Sequence, residues 1–243
     1  MQKISKEFQQ KLLHTKVLAF DADDTLWDCQ SHFDNIEKTY IQLLTPYAEE
    51  KQISEQLFQV EMRNMPLLGY GCKAFTLSLI ENAVKMSGGR IIGSDIEKII
   101  ALGRSLLLLP ATPLEGVEPT LARLRDLFDF KMIVFTKGEL LDQENKIDRS
   151  GLRHYFDEIL IVSDKTSDAY KTLCKRYGIL INELTMVGNS FRSDIAPILE
   201  LGGNAIHIPF HIEWQHEQME TYKHAHLLQL ERFDQLLNFF TKE

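Results

Sequence analysis

From Met132 to Ile208 the chain alternates short apolar runs with longer amphipathic stretches. Met132–Phe135, Glu158–Val162, Leu184–Val187 and Ala205–Ile208 read as strands, separated by helices near Glu139–Ser150, Ser167–Tyr177 and Ser193–Leu201. Strands joined by crossover helices form a parallel sheet covered on both faces, so each strand can be apolar throughout. One earlier run, Val17-Leu18-Ala19-Phe20, has the same character but lies far upstream. Between it and the later strands, Ser31–Glu50, Ile53–Asn64, Lys73–Met86 and Ser94–Leu108 all carry helical periodicity, with no strand interrupting them. Pro110, Pro113 and Gly116 punctuate the return, and Val117–Phe128 reads as a helix with Leu121, Leu124 and Leu127 on one face.

This layout predicts an α/β fold: a Rossmann-like parallel sheet core, residues 1–28 and 112–243, with an inserted helical cap domain, residues 29–111. At 243 residues and 44% hydrophobic content the chain has enough material for a sizeable core. A net charge of -8 argues against a broad nucleic-acid-binding face, which needs clustered Lys and Arg. Met1–Lys16 is too polar for a signal peptide; Ile4, Phe8 and Leu12 at helical spacing suggest a short docking helix, and Phe233–Phe240 a final amphipathic helix. Cys29, Cys72 and Cys174 are scattered without metal-ligand spacing, which suits reduced thiols in a cytoplasmic protein. No membrane segment is expected, and nothing in the pattern specifies an oligomer.

Each strand delivers usable chemistry at its carboxyl end, the edge where open α/β sheets bind ligands. Val17–Phe20 runs into Asp21, Asp23 and Asp24, whose mutual repulsion calls for a cation or a division of labour. The next strands lead to Thr136-Lys137-Gly138, to Ser163-Asp164-Lys165 and to Gly188-Asn189-Ser190, with Asp194 five residues beyond Asn189. Taken singly, an acidic turn, a turn threonine or a surface lysine is ordinary. Lys171 competes with Lys165, but lies deeper in its helix and should point away from the edge.

The order D-x-D-x-T, apolar-T, K and G-N-S-x-x-S-D resembles the haloacid dehalogenase superfamily, in its phosphatase branch, over roughly Lys16–Pro209. That resemblance implies a phosphatase acting on a small phosphomonoester metabolite through an aspartyl-phosphate. Asp21 would be the nucleophile and Asp23 the general acid and then base. Thr136, Lys137 and Lys165 would bind the phosphoryl group, with Thr25 stabilising the turn. Mg²⁺ would be held by Asp21, the main-chain carbonyl of Asp23, Asn189 and Asp194.

One departure matters: the family usually has an acidic residue where this chain has Asn189, so the metal site loses one negative charge. A phosphate-binding protein without turnover is the alternative this leaves. Dehalogenases do not use the second Asp as general acid, so Asp23 with Thr25 speaks for phosphoryl transfer; phosphomutases usually carry an acidic pair where this chain has Asn189-Ser190. In the cap, Gly69-Tyr70-Gly71-Cys72-Lys73 brackets an aromatic ring and a cation, making Tyr70 and Lys73 candidate substrate contacts, with Arg63 a weaker one. His207, His211, His216, His224 and His226 lack zinc-site spacing and read as surface and packing residues, with Trp214 anchoring their segment.

Overall fold

A computed structural model describes residues 6–240. Helix α1 (Lys6–Leu13) precedes β1 (Val17–Phe20), and α2 (Gln30–Leu44), α3 (Glu50–Leu68), α4 (Cys72–Met86) and α5 (Gly93–Leu106) follow without a strand between them. The chain then alternates: α6 (Val117–Leu127), β2 (Lys131–Lys137), α7 (Leu140–Ser150), β3 (Glu158–Val162), α8 (Ser167–Tyr177), β4 (Leu184–Gly188), α9 (Ala196–Glu200), β5 (Asn204–His207) and β6 (Leu227–Gln229). All six strands are parallel, in the order β3-β2-β1-β4-β5-β6.

β1 is the strand from which the sheet order runs in two directions, which opens a crevice at its carboxyl end. Phe20 lies level with Val134 of β2 and Val187 of β4, so Asp21 leaves the sheet beside the ends of both neighbours. The continuous apolar run of β1 follows from burial on both faces. Leu18 and Phe20 pack with Phe8 and Leu12 of α1, Leu121 and Leu124 of α6, and the C-terminal Phe233, Leu236 and Phe240. Val17 and Ala19 face the other way, toward Tyr170 and Leu173 of α8 and Ile198 and Leu199 of α9. Each such leucine or phenylalanine contributes about 1.5–3 kcal/mol by leaving water.

The chain divides into two compact units, one of them Cys29–Pro110 with Gly138–Lys146. Its core gathers Tyr40 and Leu44 of α2, Ile53 and Leu57 of α3, Leu79 and Ala83 of α4, and Ile99 of α5. Asn82 threads this apolar interior, donating to the Tyr40 hydroxyl at 2.9 Å and the Ile53 carbonyl at 3.2 Å. Gly103 allows α5 to lie against α4: a Cβ there would stand 1.9 Å from Thr76 Oγ1.

The structure departs from the sequence reading at four points. The helical unit includes Gly138–Lys146, which the sequence assigned to the sheet core, and leaves Ala111 to the other unit; the cause is long-range, since Lys73 Nζ donates to Glu139 Oε1 at 2.7 Å and Cys72 Sγ to Asp142 Oδ2 at 3.3 Å. The expected helix over Ser193–Leu201 is a π-turn, Phe191–Ile195, followed by the short α9, with Pro197 in its first turn, where a missing N–H is harmless. Phe233–Phe240 is 3₁₀ over Phe233–Asn238; its buried Phe233 and Leu236 are three residues apart, the 3₁₀ repeat. β6 was not foreseen, because three residues flanked by His226 and Leu230 carry no periodicity. The N-terminal docking helix forms over Lys6–Leu13 with Phe8 and Leu12 buried, while Ile4 lies outside the described residues. No helix among the described residues is long and apolar enough to cross a membrane.

Candidate active site

The turn after β1 is built by its own backbone. Asp21 N–H donates to Val187 O at 2.9 Å, extending the sheet by one bond, and Thr25 and Leu26 N–H both return to Ala22 O, at 3.2 and 2.8 Å. Asp24 sits at φ 63°, a left-handed conformation that Asp tolerates better than most residues, and donates its N–H to Trp27 O at 2.7 Å. The Trp27 indole Nε1–H in turn donates to Asp23 Oδ1 at 2.7 Å, which fixes the orientation of that carboxyl group. Thr25 Oγ1 lies 3.3 Å from Asp21 Oδ2 and 3.0 Å from Asn189 Oδ1, and accepts the Asn189 N–H at 3.1 Å. One hydroxyl thus joins the ends of β1 and β4.

Lys165, from the loop ahead of α8, is buried between two carboxylates: Nζ donates to Asp21 Oδ1 and, at 2.6 Å, to Asp194 Oδ1. Asp194 Oδ2 also accepts the Ser190 N–H at 3.0 Å, and the Tyr170 hydroxyl donates to Asp194 O at 3.1 Å. Two carboxyl groups share one cation, so ionising both leaves one negative charge uncompensated. Burial, and then the charge of Asp194, outweigh Lys165 and push the Asp21 carboxyl up to about 7. Burial pulls the Lys165 ammonium down, but Asp194 and Asp21 more than offset this and raise it.

Gly188 makes the Asp194 position attainable. A Cβ at 188 would lie 2.2 Å from Asp194 Oδ2 and 2.6 Å from its Cβ, and Asp194 is too short and too firmly bonded to yield. Gly188→Ala is therefore expected to cost about 1–3 kcal/mol of stability, as overpacking does, and to lower activity by displacing the partner of Lys165. Denaturant unfolding beside an assay of the refolded protein checks both; unchanged stability would refute the crowding.

A second cluster stands at the same edge. Lys137 Nζ donates to Glu217 Oε1 and, at 2.8 Å, to Ser193 Oγ. Glu217 Oε2 accepts from the hydroxyls of Ser190 and, at 2.6 Å, Ser193. Burial would raise the Glu217 carboxyl, yet Lys137 and the two hydroxyls hold it at about 2. A carboxyl depressed on folding stabilises fully above its unfolded value of about 4.3 and loses that contribution as pH falls toward 2. The stability gap between wild type and Glu217→Gln should accordingly be widest near pH 6 and shrink between pH 4 and 3, read from urea midpoints. A constant gap would contradict the depressed value.

The structure thus brings Asp21, Lys165, Asn189 and Asp194 together at the β1–β4 edge, with Asp23 two residues on. Thr136 is buried at the end of β2, its hydroxyl 3.5 Å from Lys137 O. The Lys137 ammonium is committed to Glu217 and Ser193. Lys171 is exposed and pairs with Asp168 at 3.0 Å, which leaves Lys165 as the buried lysine of this edge. Tyr70, Lys73 and Arg63 belong to the helical unit; Lys73 pairs there with Glu139, and Arg63 with Glu81. His207 and His216 are buried, and His207 Nε2 lies 2.9 Å from Asn189 O. His211 and His224 are exposed; Trp214 is half-buried, its ring 5.0 Å from that of His216. Sequence reading missed Trp27, Tyr170 and Glu217, and gave no role to Ser190 and Ser193 of the last motif. Of the three missed, Trp27 had a local signal, four residues after Asp23 in the same turn.

The oxygens at this edge suit a hard divalent ion in kind. Among the described residues no three His, Cys, Asp or Glu side chains form a ligand cluster. Mg²⁺, however, needs only one or two carboxylates and takes its other oxygens from carbonyls, water and substrate. Asp21 Oδ2, which lies 3.3 Å from Thr25 Oγ1, and the Asn189 amide oxygen are of that kind, and the paired carboxyl groups around Lys165 favour a further cation.

A parallel α/β sheet with an aspartate-led, oxygen-rich cluster beside the point where its strand order reverses has that cluster where such sheets bind ligands. Residues 15–202 match the family model of the haloacid dehalogenase-like hydrolases, and the chain belongs to that family. A glyceraldehyde 3-phosphate phosphatase of Methanopyrus kandleri is 26% identical over 193 residues, 74% of this chain and 78% of that protein. An N-acylneuraminate-9-phosphatase of Homo sapiens is 24% identical over 202 residues, 79% of this chain and 81% of that protein. The crystal structure of a haloacid dehalogenase-like family hydrolase from Xanthomonas campestris superposes with a TM-score of 0.80 at 32% identity, covering 90% of this chain and 87% of the other.

Proposed function

We propose that this hydrolase cleaves phosphate monoesters of small metabolites through an aspartyl-phosphate on Asp21, with Mg²⁺ as cofactor. The observation that carries the reading is the buried Lys165 ammonium between Asp21 and Asp194, two residues from an Asp23 held by Trp27. The phosphatase names of the Methanopyrus kandleri and human relatives support the phosphomonoester class, and the substrates in both names are small phosphorylated metabolites.

The Asp21 carboxylate attacks phosphorus while the bond to the ester oxygen breaks, and Asp23, protonated at the outset, gives its proton to the leaving alcohol. Asp23 then takes a proton from water, which attacks the aspartyl-phosphate; the phosphorus–Asp21 oxygen bond breaks and orthophosphate leaves. Lys165 and the Thr136 hydroxyl receive the phosphoryl oxygens, and Asp194 keeps Lys165 in place. Mg²⁺, held by the Asp21 carboxylate, the Asp23 carbonyl and Asn189 with Asp194 nearby, would neutralise charge on the transferring group. Three buried cysteines outside any disulfide fit a reducing cytoplasm.

Phosphate release from a panel of phosphorylated metabolites should require Mg²⁺ and cease with EDTA. Apparent Mg²⁺ affinity should rise with pH through about 7, because the ion displaces the proton that burial holds on Asp21. Turnover that survives metal removal would overturn the mechanism. Orthophosphate binding with no turnover of any substrate would instead indicate a phosphate-binding protein.

A further inference from the structure

The segment Gln215–Glu217 belongs to none of the strand-end motifs, yet it places a buried carboxylate against two of them. Glu217 reaches Lys137 at the end of β2, and Ser190 and Ser193 in the turn after β4. The contacts continue inward. Ser190 donates its N–H to Asp194 Oδ2 at 3.0 Å, and Asp194 Oδ1 receives Lys165 Nζ, which also holds Asp21. The Ser190 hydroxyl also accepts the Ser193 N–H at 3.0 Å, closing the first turn of the π-segment that carries Asp194. Glu217 is therefore the outer end of a hydrogen-bonded chain whose inner end is Asp21.

Stability alone gives little reason for such an arrangement, since apolar groups of similar volume often replace a buried ion pair at no loss. Its charge has a more specific effect. An uncompensated Lys137 ammonium would compete with Lys165 for the carboxylates and for the phosphoryl group, only one residue beyond Thr136. Paired with Glu217, Lys137 ties β2 to the β4 turn.

We infer that Glu217 is a positioning residue for phosphoryl transfer: by holding Lys137 and the Ser190–Ser193 turn it fixes Asp194, and through Asp194 the Lys165 that orients Asp21. This rests on the reading of the site as a phosphatase. Lys137 is then structural to the site, and Lys165 is the lysine that meets the phosphoryl group.

The test compares wild type with Glu217→Gln, Glu217→Asp and the double variant Lys137→Met/Glu217→Met, each scored per folded molecule by its thermal transition. Orthovanadate, which resembles the transition state, is the probe, beside inorganic phosphate as the ground-state ligand. In Glu217→Gln, vanadate affinity and kcat should fall about 10-fold or more, as for other supporting partners of a site, with phosphate affinity and KM changed less than about 3-fold. Glu217→Asp should recover part of the loss. Should Glu217→Gln fail to fold, the double variant, which keeps volume without charge, should fold and show the same loss. Wild-type kcat and vanadate affinity in either variant would overturn the inference and reduce Glu217 to a packing residue. A wild type that neither hydrolyses phosphomonoesters nor binds vanadate would instead refute the phosphatase reading itself.

Discussion

Asp21→Asn is expected to lower phosphate release by at least about 1,000-fold, the scale on which loss of a nucleophile acts. That corresponds to about 4 kcal/mol of lost transition-state stabilisation. The substitution keeps size and shape, so the turn from Ala22 to Trp27, held by its own backbone bonds, should survive. An amide also removes the buried negative charge that faces Asp194, so the folded protein should lose no stability at neutral pH. Beryllofluoride, a mimic of the aspartyl-phosphate, should attach to the wild type and not to the variant. Attachment at Asp23 would reverse the two assignments.

Lys165→Met should be the most damaging single change to stability, and it should lower activity as well. It leaves Asp21 and Asp194 buried with no cation between them, and removing one partner of a buried ion pair typically costs about 3–5 kcal/mol. The loss is relieved only if a carboxyl takes up a proton, which drives Asp21 further above its already raised value and removes the anionic nucleophile. Turnover should fall by about 100-fold or more, since a preorganised cation facing the phosphoryl group is lost as well. Mg²⁺ should then raise the melting temperature of the variant more than that of the wild type, because a second cation can replace the missing ammonium. Equal Mg²⁺ shifts in the two proteins would separate the metal from these carboxylates.

The two variants also distinguish roles within one cluster. Asp21→Asn removes chemistry and leaves the fold; Lys165→Met removes both. A protein using this edge only to bind phosphate would respond to Lys165→Met and be nearly indifferent to Asp21→Asn. That contrast addresses the consequence of Asn189, the neutral residue that stands where the family usually has an acid.

How the chain reads from sequence depends on how local each feature is. The strand at Val17–Phe20 was legible because burial on both faces demands a continuous apolar run, and Asp21 because it is the first residue the sheet releases. Thr136, Lys165 and Asp194 were picked out the same way, by their place after strand ends; the fold joins Lys165 and Asp194 to Asp21, and Lys165 was separable from Lys171 by its place in the helix. The inserted helices were legible because no strand pattern interrupts them for about 80 residues.

Tertiary structure alone decided the rest. Strand order depends on pairings such as Phe20 with Val187, between residues far apart in the chain, and nothing in either strand specifies its neighbour. The short β6 exists because β5 offers it an edge, and Gly138–Lys146 joins the helical unit because Glu139 and Asp142 find partners on Lys73 and Cys72. The commitment of Lys137 is the sharpest case. Its position beside Thr136 pointed to the phosphoryl group, but the carboxylate that neutralises it is 80 residues away, in a segment without periodicity or motif. Side-chain charge and spacing along the chain determine which groups arrive at the sheet edge; only the folded contacts determine which of those charges are already paired, because Coulomb attraction acts on distance in space and not on separation in sequence.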